Sequence, residues 1–393
     1  MKKYSRFCFI LASLGVLVTV FSGCEKDDDI LPARTVLAYI IAENSLSGYD
    51  EENITDMMEG MGKGDGEELN LLVYQDNKGQ SPVLWKIEKN NRNKVSKVAV
   101  KRYDEQNSVD PEVMRNVIRE AFSTYPASEK GLILWSHGSG WLPSPNYTEN
   151  QGVGVIPRKR AFGQDGDHWL ELWSLRSILE QTGVHFNFLL FDACHMANVE
   201  VAYELRNVTD CLIASSAEIM GNGFPYATVI PLMNKRQLDL PSIGQAYMDL
   251  YDGRNNYYGG TISVINTRRL TELAALYRQI LANTRALDNE IAAAEIQEFG
   301  RMVTSRTSYR NFFYDLQDYV SLISPAMAEE SDALLKQIVL YEGHTDRFGF
   351  TNSGGEIIDI RKSCGLTVFI PQKNNNQYYQ LAYHRLQWYE DVY

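Results

Sequence analysis

Two short segments of the 393-residue chain carry side chains able to do covalent chemistry. They are Ser136-His137-Gly138-Ser139-Gly140-Trp141 and Asp192-Ala193-Cys194-His195-Met196. A thiol is a competent nucleophile near neutral pH once some thiolate is present, and an imidazole can exchange protons with attacking and leaving groups. Cys194 and His137 are therefore the candidate nucleophile and acid–base partner, 57 positions apart. Gly138 has no side chain, so its backbone N–H can approach a carbonyl oxygen closely, and with the N–H of Cys194 it would form an oxyanion hole. A helix is expected from Ala197 to Leu205, close behind Cys194, and its N-terminal dipole would favour the thiolate. The neighbouring His195 is expected to point away along the helix start.

The elements around these segments predict how they meet. Thr35–Ile41, Leu69–Tyr74, Gly131–Trp135, Phe186–Phe191, Cys211–Ser215 and Thr261–Ile265 are short apolar runs of the kind buried on both faces of a sheet. Helical stretches lie among them: Asp50–Met61, a segment opened by Asp110-Pro111, and Leu170–Gln181. Val83–Glu88 and Val95–Val100 read as a hairpin. Alternating strands and helices imply an α/β fold, an α/β/α sandwich with a mostly parallel sheet. His137 and Cys194 both follow strand carboxyl ends, the edge where open α/β sheets place their sites. Residues 34–266 read as the core. Residues 267–393 read as a helical C-terminal region whose late strand, Gly365–Pro371, returns to the sheet before a terminal amphipathic helix.

His-Gly-x-Gly-Trp together with Phe191-Asp192-Ala193-Cys194-x-Met196-Ala197-x-x-Glu200-x-Ala202-Tyr203-Glu204-Leu205 strongly resembles the clostripain-like cysteine peptidases, which share the caspase and gingipain fold. Tyr39–Leu46, with Glu43 where aspartate is usual, Gly221–Tyr226, Gly365–Pro371 and Trp388 resemble further segments of that family, so the resemblance spans roughly 34–393. It implies an endopeptidase acting on a protein or peptide substrate, with His137 and Cys194 as a dyad and no fixed third member. It implies that Asp192 and Glu218 line the S1 pocket and pair with Arg or Lys at P1; the plainer reading of Asp192 is a cap for the following helix. Met220 and Asn222 depart from the family's pattern and weaken the basic preference. Relatives often cleave themselves between histidine and cysteine. Here that points to a cut after Arg158, Lys159 or Arg160, the last leaving Ala161 as a new N-terminus, although an ordinary basic loop reads equally well. No cofactor is expected; because the family's namesake is associated with calcium, loops such as Asp165-Gly166-Asp167 could bind an ion, though the sequence does not show one.

The N-terminus gives an address. Lys2, Lys3 and Arg6 precede an apolar stretch, Phe7–Phe21, too short for an ordinary spanning helix and typical of a signal peptide. Phe21-Ser22-Gly23-Cys24 resembles a bacterial lipobox, so residues 1–23 are expected to be removed and Cys24 to be lipidated. Residues 24–33 read as an acidic tether. The expected product is an exported lipoprotein of a Gram-negative outer membrane, surface-exposed and monomeric. Losing three basic residues with 1–23 moves the formal charge from −12 to −15, which offers no general attraction for nucleic acid or anionic lipid. Of five cysteines, Cys8 would leave with the leader and Cys24 would carry the lipid, so Cys194, Cys211 and Cys364 remain as thiols. An odd number in an exported protein marks a reactive thiol; Cys211 and Cys364 read as packing residues, with a disulfide between them left open. No His-Glu-x-x-His or paired Cys-x-x-Cys occurs, so a metal hydrolase is not expected. The competing reading is a non-catalytic surface lipoprotein that uses the same fold to bind a protein or glycan.

Overall fold

The computed structural model describes residues 32–64, 68–90, 92–143, 162–251, 259–283, 296–305, 308–349, 357–371 and 377–393. The leader, Cys24, the tether up to residue 31 and the Arg158–Ala161 segment lie outside them. The strands include β1 (Arg34–Ala42), β2 (Leu69–Asn77), β3 (Val83–Lys89), β4 (Val95–Arg102), β5 (Glu129–Trp135), β6 (Phe162–Asp165), β7 (His168–Leu170), β8 (Phe188–Asp192), β9 (Cys211–Ala214), β10 (Thr261–Asn266), β11 (Arg301–Ser305), β12 (Ser308–Asn311), β13 (Tyr314–Asp315) and β14 (Val339–His344), with three two-residue strands at Arg347–Phe348, Ile358–Asp359 and Thr367–Val368. The helices are α1 (Tyr49–Lys63), α2 (Pro111–Thr124), α3 (Leu172–Thr182), α4 (Val199–Leu205), α5 (Tyr226–Met233), α6 (Leu240–Leu250), α7 (Leu270–Asn283), α8 (Leu316–Ile323), α9 (Ala328–Ile338), α10 (Gln377–Tyr383) and α11 (Gln387–Val392).

The main sheet runs β14-β10-β9-β8-β5-β1-β2-β3-β4. Its five central strands, β9 to β2 in that order, are parallel; β3 and β4 on one side and β10 and β14 on the other are antiparallel. All nine residues of β1 are buried, because a strand with layers on both faces has no solvent side. Alternate residues feed two cores. Val36, Ala38 and Ile40 pack with α1, α5 and α6, through residues such as Met57, Val229 and Tyr247. Leu37, Tyr39 and Ile41 join the layer built from α2, α3, α4, α7 and the C-terminal helices, including Ile118, Leu175, Tyr203 and Trp388. The caps follow the sequence: Asp110 accepts from the N–H groups of Glu112 and Val113 with Pro111 at the first turn, and α3 stops at Gly183 in the left-handed conformation.

The C-terminal region does return a strand to the sheet, but it is β14 and not Gly365–Pro371. Within that segment only Thr367–Val368 is extended into pairing, against β13 in a separate two-stranded sheet, with a single bridge from Thr367 to Asn198. The main-sheet edge beside β10 is already filled by β14, so Gly365–Pro371 packs over α4 instead. Residues 32–393 form one unit, with the C-terminal region closing one face of the core. Among the described residues no helix is long and apolar enough to cross a membrane.

Candidate active site

Four neighbouring parallel strands, β1, β5, β8 and β9, deliver loops to one edge of the sheet. Strands β5 and β8 pair in register from Gly131 opposite Phe188 to Trp135 opposite Asp192. Each pair is 57 positions apart, the same offset as His137 and Cys194. Both residues therefore stand two positions beyond the ends of adjacent strands, which in a sheet run about 4.8 Å apart. They share a cleft of ≈ 230 Å³ with Leu46, Trp135, Ser136, Asp192, Ala193, Glu218, Ile219, Met220 and Gly221. Gly138 lies hard against the nucleophile loop: a Cβ at that position would come within 2.7 Å of the Cys194 carbonyl oxygen and 3.2 Å of its nitrogen. Only glycine allows that approach, and it leaves the backbone at 138 and 194 side by side.

The histidine is held by a cradle from three loops. Ser45, just past β1, places its Oγ 2.8 Å from His137 Nε2. The His137 carbonyl accepts from Gly163 N–H at 2.9 Å. Ser136 Oγ donates to Ile41 O and accepts from Gln164 N–H. Asn44 donates to Ile41 O and Gln164 O, while its own side-chain oxygen caps Leu46 N–H. The turn after β1 is thus bolted to β6 and to the His137 loop. Trp169, on β7, flanks the imidazole with ring centroids 6.5 Å apart. Sequence reasoning missed Ser45; the signal for it was its place in the Ala42-Glu43-Asn44-Ser45-Leu46 turn.

Cys194 does not stand at the helix N-terminus expected to activate it. The helix starts only at Val199, and Asn198 is its cap, accepting from Val201 N–H. Cys194 sits in a turn before it. Its Sγ accepts from Ile219 N–H at 3.3 Å and lies 3.7 Å from Ile219 O. Burial, then the charge of Glu218 and that of Asp192, push the thiol up to about 12, so the resting sulfur is protonated at neutral pH. His195 does not run along a helix either. It adopts φ 58°, is buried, places Nδ1 3.2 Å from Ser216 O and stacks on Phe313 at 4.8 Å. It is a packing residue that turns the chain between Cys194 and α4. Cys211 and Cys364 are half-buried thiols with no bond between them, and Cys364 lies outside any strand.

Asp192 is not a helix cap. Its Oδ2 accepts from Phe224 N–H at 3.1 Å and from the Tyr226 hydroxyl at 2.8 Å. Gly223, at φ +66°, passes so close that a Cβ there would meet this oxygen at 2.4 Å. Burial raises Asp192 to about 6 against the lowering effect of those two donors. Asp192 and the half-buried Glu218, in the loop after β9, both line the cleft. The Asp165-Gly166-Asp167 segment is the tight turn of the β6–β7 hairpin. Asp165 is buried and accepts from Ser108 N–H, whereas Asp167 is exposed.

An α/β/α protein with a cysteine and a histidine on adjacent strand ends has the architecture of the caspase-like cysteine peptidases. The chain belongs, more narrowly, to the clostripain family, whose model matches residues 38–393. It is similar to the structure of an inactive zymogen C11 protease from Parabacteroides distasonis, with 30% identity, TM-score 0.78, and 92% of this chain and 99% of that one covered. A secreted C11 cysteine protease from Bacteroides thetaiotaomicron, in complex with an irreversible peptide inhibitor, gives 32% identity, TM-score 0.77 and coverages of 92% and 99%. Clostripain of Hathewaya histolytica is 28% identical over 225 residues, 49% of this chain and 40% of that protein. The chain thus matches less than half the length of that curated relative.

Proposed function

We propose that this chain is a cysteine endopeptidase that cleaves after Arg or Lys, with Cys194 as nucleophile and His137 as its proton-transfer partner. The carrying observation is the in-register placement of the two residues beyond β8 and β5 in one cleft that also holds two carboxylates. The sulfur attacks the scissile carbonyl and its proton leaves by way of His137 to the departing amine. Water then attacks the thioester carbonyl to release the acid. The N–H groups of Gly138 and Cys194 receive the oxyanion. Burial raises the thiol most, with the charges of Glu218 and Asp192 adding to it; a cationic P1 side chain in the cleft would offset that added part, so recognition would also aid the nucleophile. An inhibitor-bound relative supports a peptide as the substrate.

The same reading covers export and maturation. Cys24 is proposed as the lipidated first residue of an outer-membrane, surface-facing lipoprotein; a relative described as secreted supports export. Cleavage after Arg160 is proposed as the activating cut, in keeping with a relative described as an inactive zymogen. A new end at Ala161 would leave Phe162–Asp165 tied through Gly163 to the His137 carbonyl. The test compares wild type with Cys194→Ala on fluorogenic peptides bearing Arg, Lys or a neutral residue at P1. Turnover of the basic substrates by wild type alone supports the proposal. Turnover of none by the processed chain favours the binding lipoprotein, and faster turnover of neutral P1 sinks the specificity. N-terminal sequencing of active protein checks the cut, and loss of radiolabelled fatty-acid incorporation in Cys24→Ala checks the anchor.

A further inference from the structure

The mechanism leaves one large side chain beside the proposed dyad without a task. Trp169, in β7, holds its ring centroid 6.5 Å from that of His137, with the two planes 31° apart. It is half-buried and is not one of the residues lining the cleft of Asp192 and Glu218. The β6–β7 hairpin that carries it is firmly seated. Phe162 and Leu170 are buried, and Phe162 packs edge-on against Phe191 at 5.3 Å. Gly163, at φ +74°, lies so close to the core that a Cβ there would meet Ile41 at 3.0 Å and Val109 at 3.2 Å. Its N–H donates to the His137 carbonyl at 2.9 Å, and Gly166 N–H donates to the Glu43 carbonyl at 2.8 Å. The hairpin is thus fixed to the loops on which His137 and Ser45 stand, while part of the indole stays at the surface. A rigid, partly exposed aromatic ring offers contact area at little entropic cost.

We infer that Trp169 is the wall against which P1′, the first residue beyond the scissile bond, packs, and that the chain prefers a large apolar or aromatic residue there. The inference rests on the peptidase reading above and adds a second specificity to it. The order of loops along the sheet edge carries it. In the sequence of strands β9-β8-β5-β1, Cys194 follows β8. On its β9 side stand Glu218, Ile219 and Met220 of the cleft, with Ile219 N–H 3.3 Å from Sγ. On its other side stands His137, after β5. The hairpin lies beyond that, held by Asn44 after β1, which donates to Gln164 O at 2.7 Å. A P1 side chain seated against Asp192 and Glu218 leaves the departing amine to take its proton from His137. The chain attached to that amine then runs past the imidazole and over the indole. A Leu or Phe side chain at P1′ would remove its own apolar surface and that of Trp169 from water. Glycine offers nothing to cover the ring, and an Asp carboxylate would be desolvated against it without a partner.

The experiment uses internally quenched peptides that differ only at P1′, bearing Gly, Asp, Leu or Phe there, with P1 fixed as the residue the chain turns over fastest. Wild type, Trp169→Ala and Trp169→Phe are compared. Expected is a wild-type kcat/KM about tenfold or more higher for Leu and Phe than for Gly, the scale of one apolar contact in a specificity site. Trp169→Ala should lower the Leu and Phe peptides to the level of Gly while the Gly rate holds within about twofold; Trp169→Phe should keep part of the preference. The Gly peptide has no side chain to meet the ring, so its rate reports folding and the dyad alone. Partition of the acyl-enzyme between water and added amines gives a second readout: leucinamide should capture it better than glycinamide in wild type and no better in Trp169→Ala. Equal wild-type rates for Gly and Leu would overturn the inference even if no variant folds. An equal fall for all four peptides in Trp169→Ala would also overturn it, leaving the indole as a support for His137. Turnover of no peptide by wild type would sink the peptidase reading itself, and the P1′ wall with it.

Discussion

Ser45 is exposed, yet its hydroxyl lies 2.8 Å from one nitrogen of the imidazole proposed to move the proton. It acts through His137 and not on substrate, so its loss should lower kcat with little change in KM. Positioned acid–base groups are worth about 10²–10⁴-fold. Ser45→Ala is expected to cost about tenfold of that, and Ser45→Thr, which keeps the hydroxyl, to retain most of the activity. Steady-state kinetics on an Arg substrate decide it; a fall confined to KM would remove the positioning role. Asp192 makes a second prediction. Burial holds its carboxyl near 6, so it is charged at pH 7.5 and neutralised as the pH falls below 6. KM for Arg substrates should rise through that window while KM for neutral P1 stays level. Asp192→Asn should raise KM for Arg about tenfold or more and flatten the pH dependence; equal pH dependence for both substrates would show that Asp192 does not read P1.

At the scale of elements, the nucleophile loop depends on the join between β8 and α4. Asn198 is fully buried there. It caps α4 through Val201 N–H at 3.0 Å and donates to His195 O at 2.7 Å. That second bond holds a residue already turned to positive φ, one position from Cys194. Asn198→Ala removes a helix cap worth about 1 kcal/mol and leaves a buried carbonyl and N–H unpaired at about 1–3 kcal/mol more. A stability loss of about 2–4 kcal/mol is expected by denaturant melts, accompanied by a drop in kcat because the turn that aims Cys194 loosens. Wild-type kcat in a destabilised variant would show that the cap serves the helix alone. The strand pair β5–β8 is the other decisive element: its register sets the two residues of the proposed dyad level, and a slip by one residue would send Asp192 and Trp135 to the opposite face.

Across the whole molecule, α4 anchors the C-terminal region to the active-site edge. Glu200 is fully buried and accepts from Phe369 N–H at 2.8 Å; Glu204 pairs with Arg176 at 2.9 Å and accepts from Gln387 N–H. The motif residues quoted as family resemblance are thus largely clamps for the late segment and the terminal helix. Burial raises Glu200 to about 7. A carboxyl whose folded value exceeds its unfolded one stabilises the fold below the unfolded value, and that contribution fades as the pH climbs from about 4.5 to 7. Wild type should therefore gain stability as the pH drops from 8 toward 5. Glu200→Gln, which keeps an acceptor for Phe369, should lose up to about 3 kcal/mol of that slope. Unfolding midpoints measured across this range test it, and an unaltered slope in the variant would mean that Glu200 stays ionised.

The local sequence by itself determined the buried strands, their alternation with helices, the Asp110 cap and the two reactive segments, because apolar runs, capping residues and glycine placement act over a few residues. It also held the 57-residue spacing, although only pairing turned that number into a shared register. Other features were decided by the tertiary structure. Sheet edges are filled by whichever strand reaches them, so β14 took the place expected of Gly365–Pro371. The helix began at Val199, where Asn198 caps it, while Asp192 was drawn to Phe224 and Tyr226, so the thiol stands in the turn before the helix and not at its N-terminus. Ser45 and His137 come from segments far apart in the chain, and no local pattern announces side chains that meet only when the sheet closes.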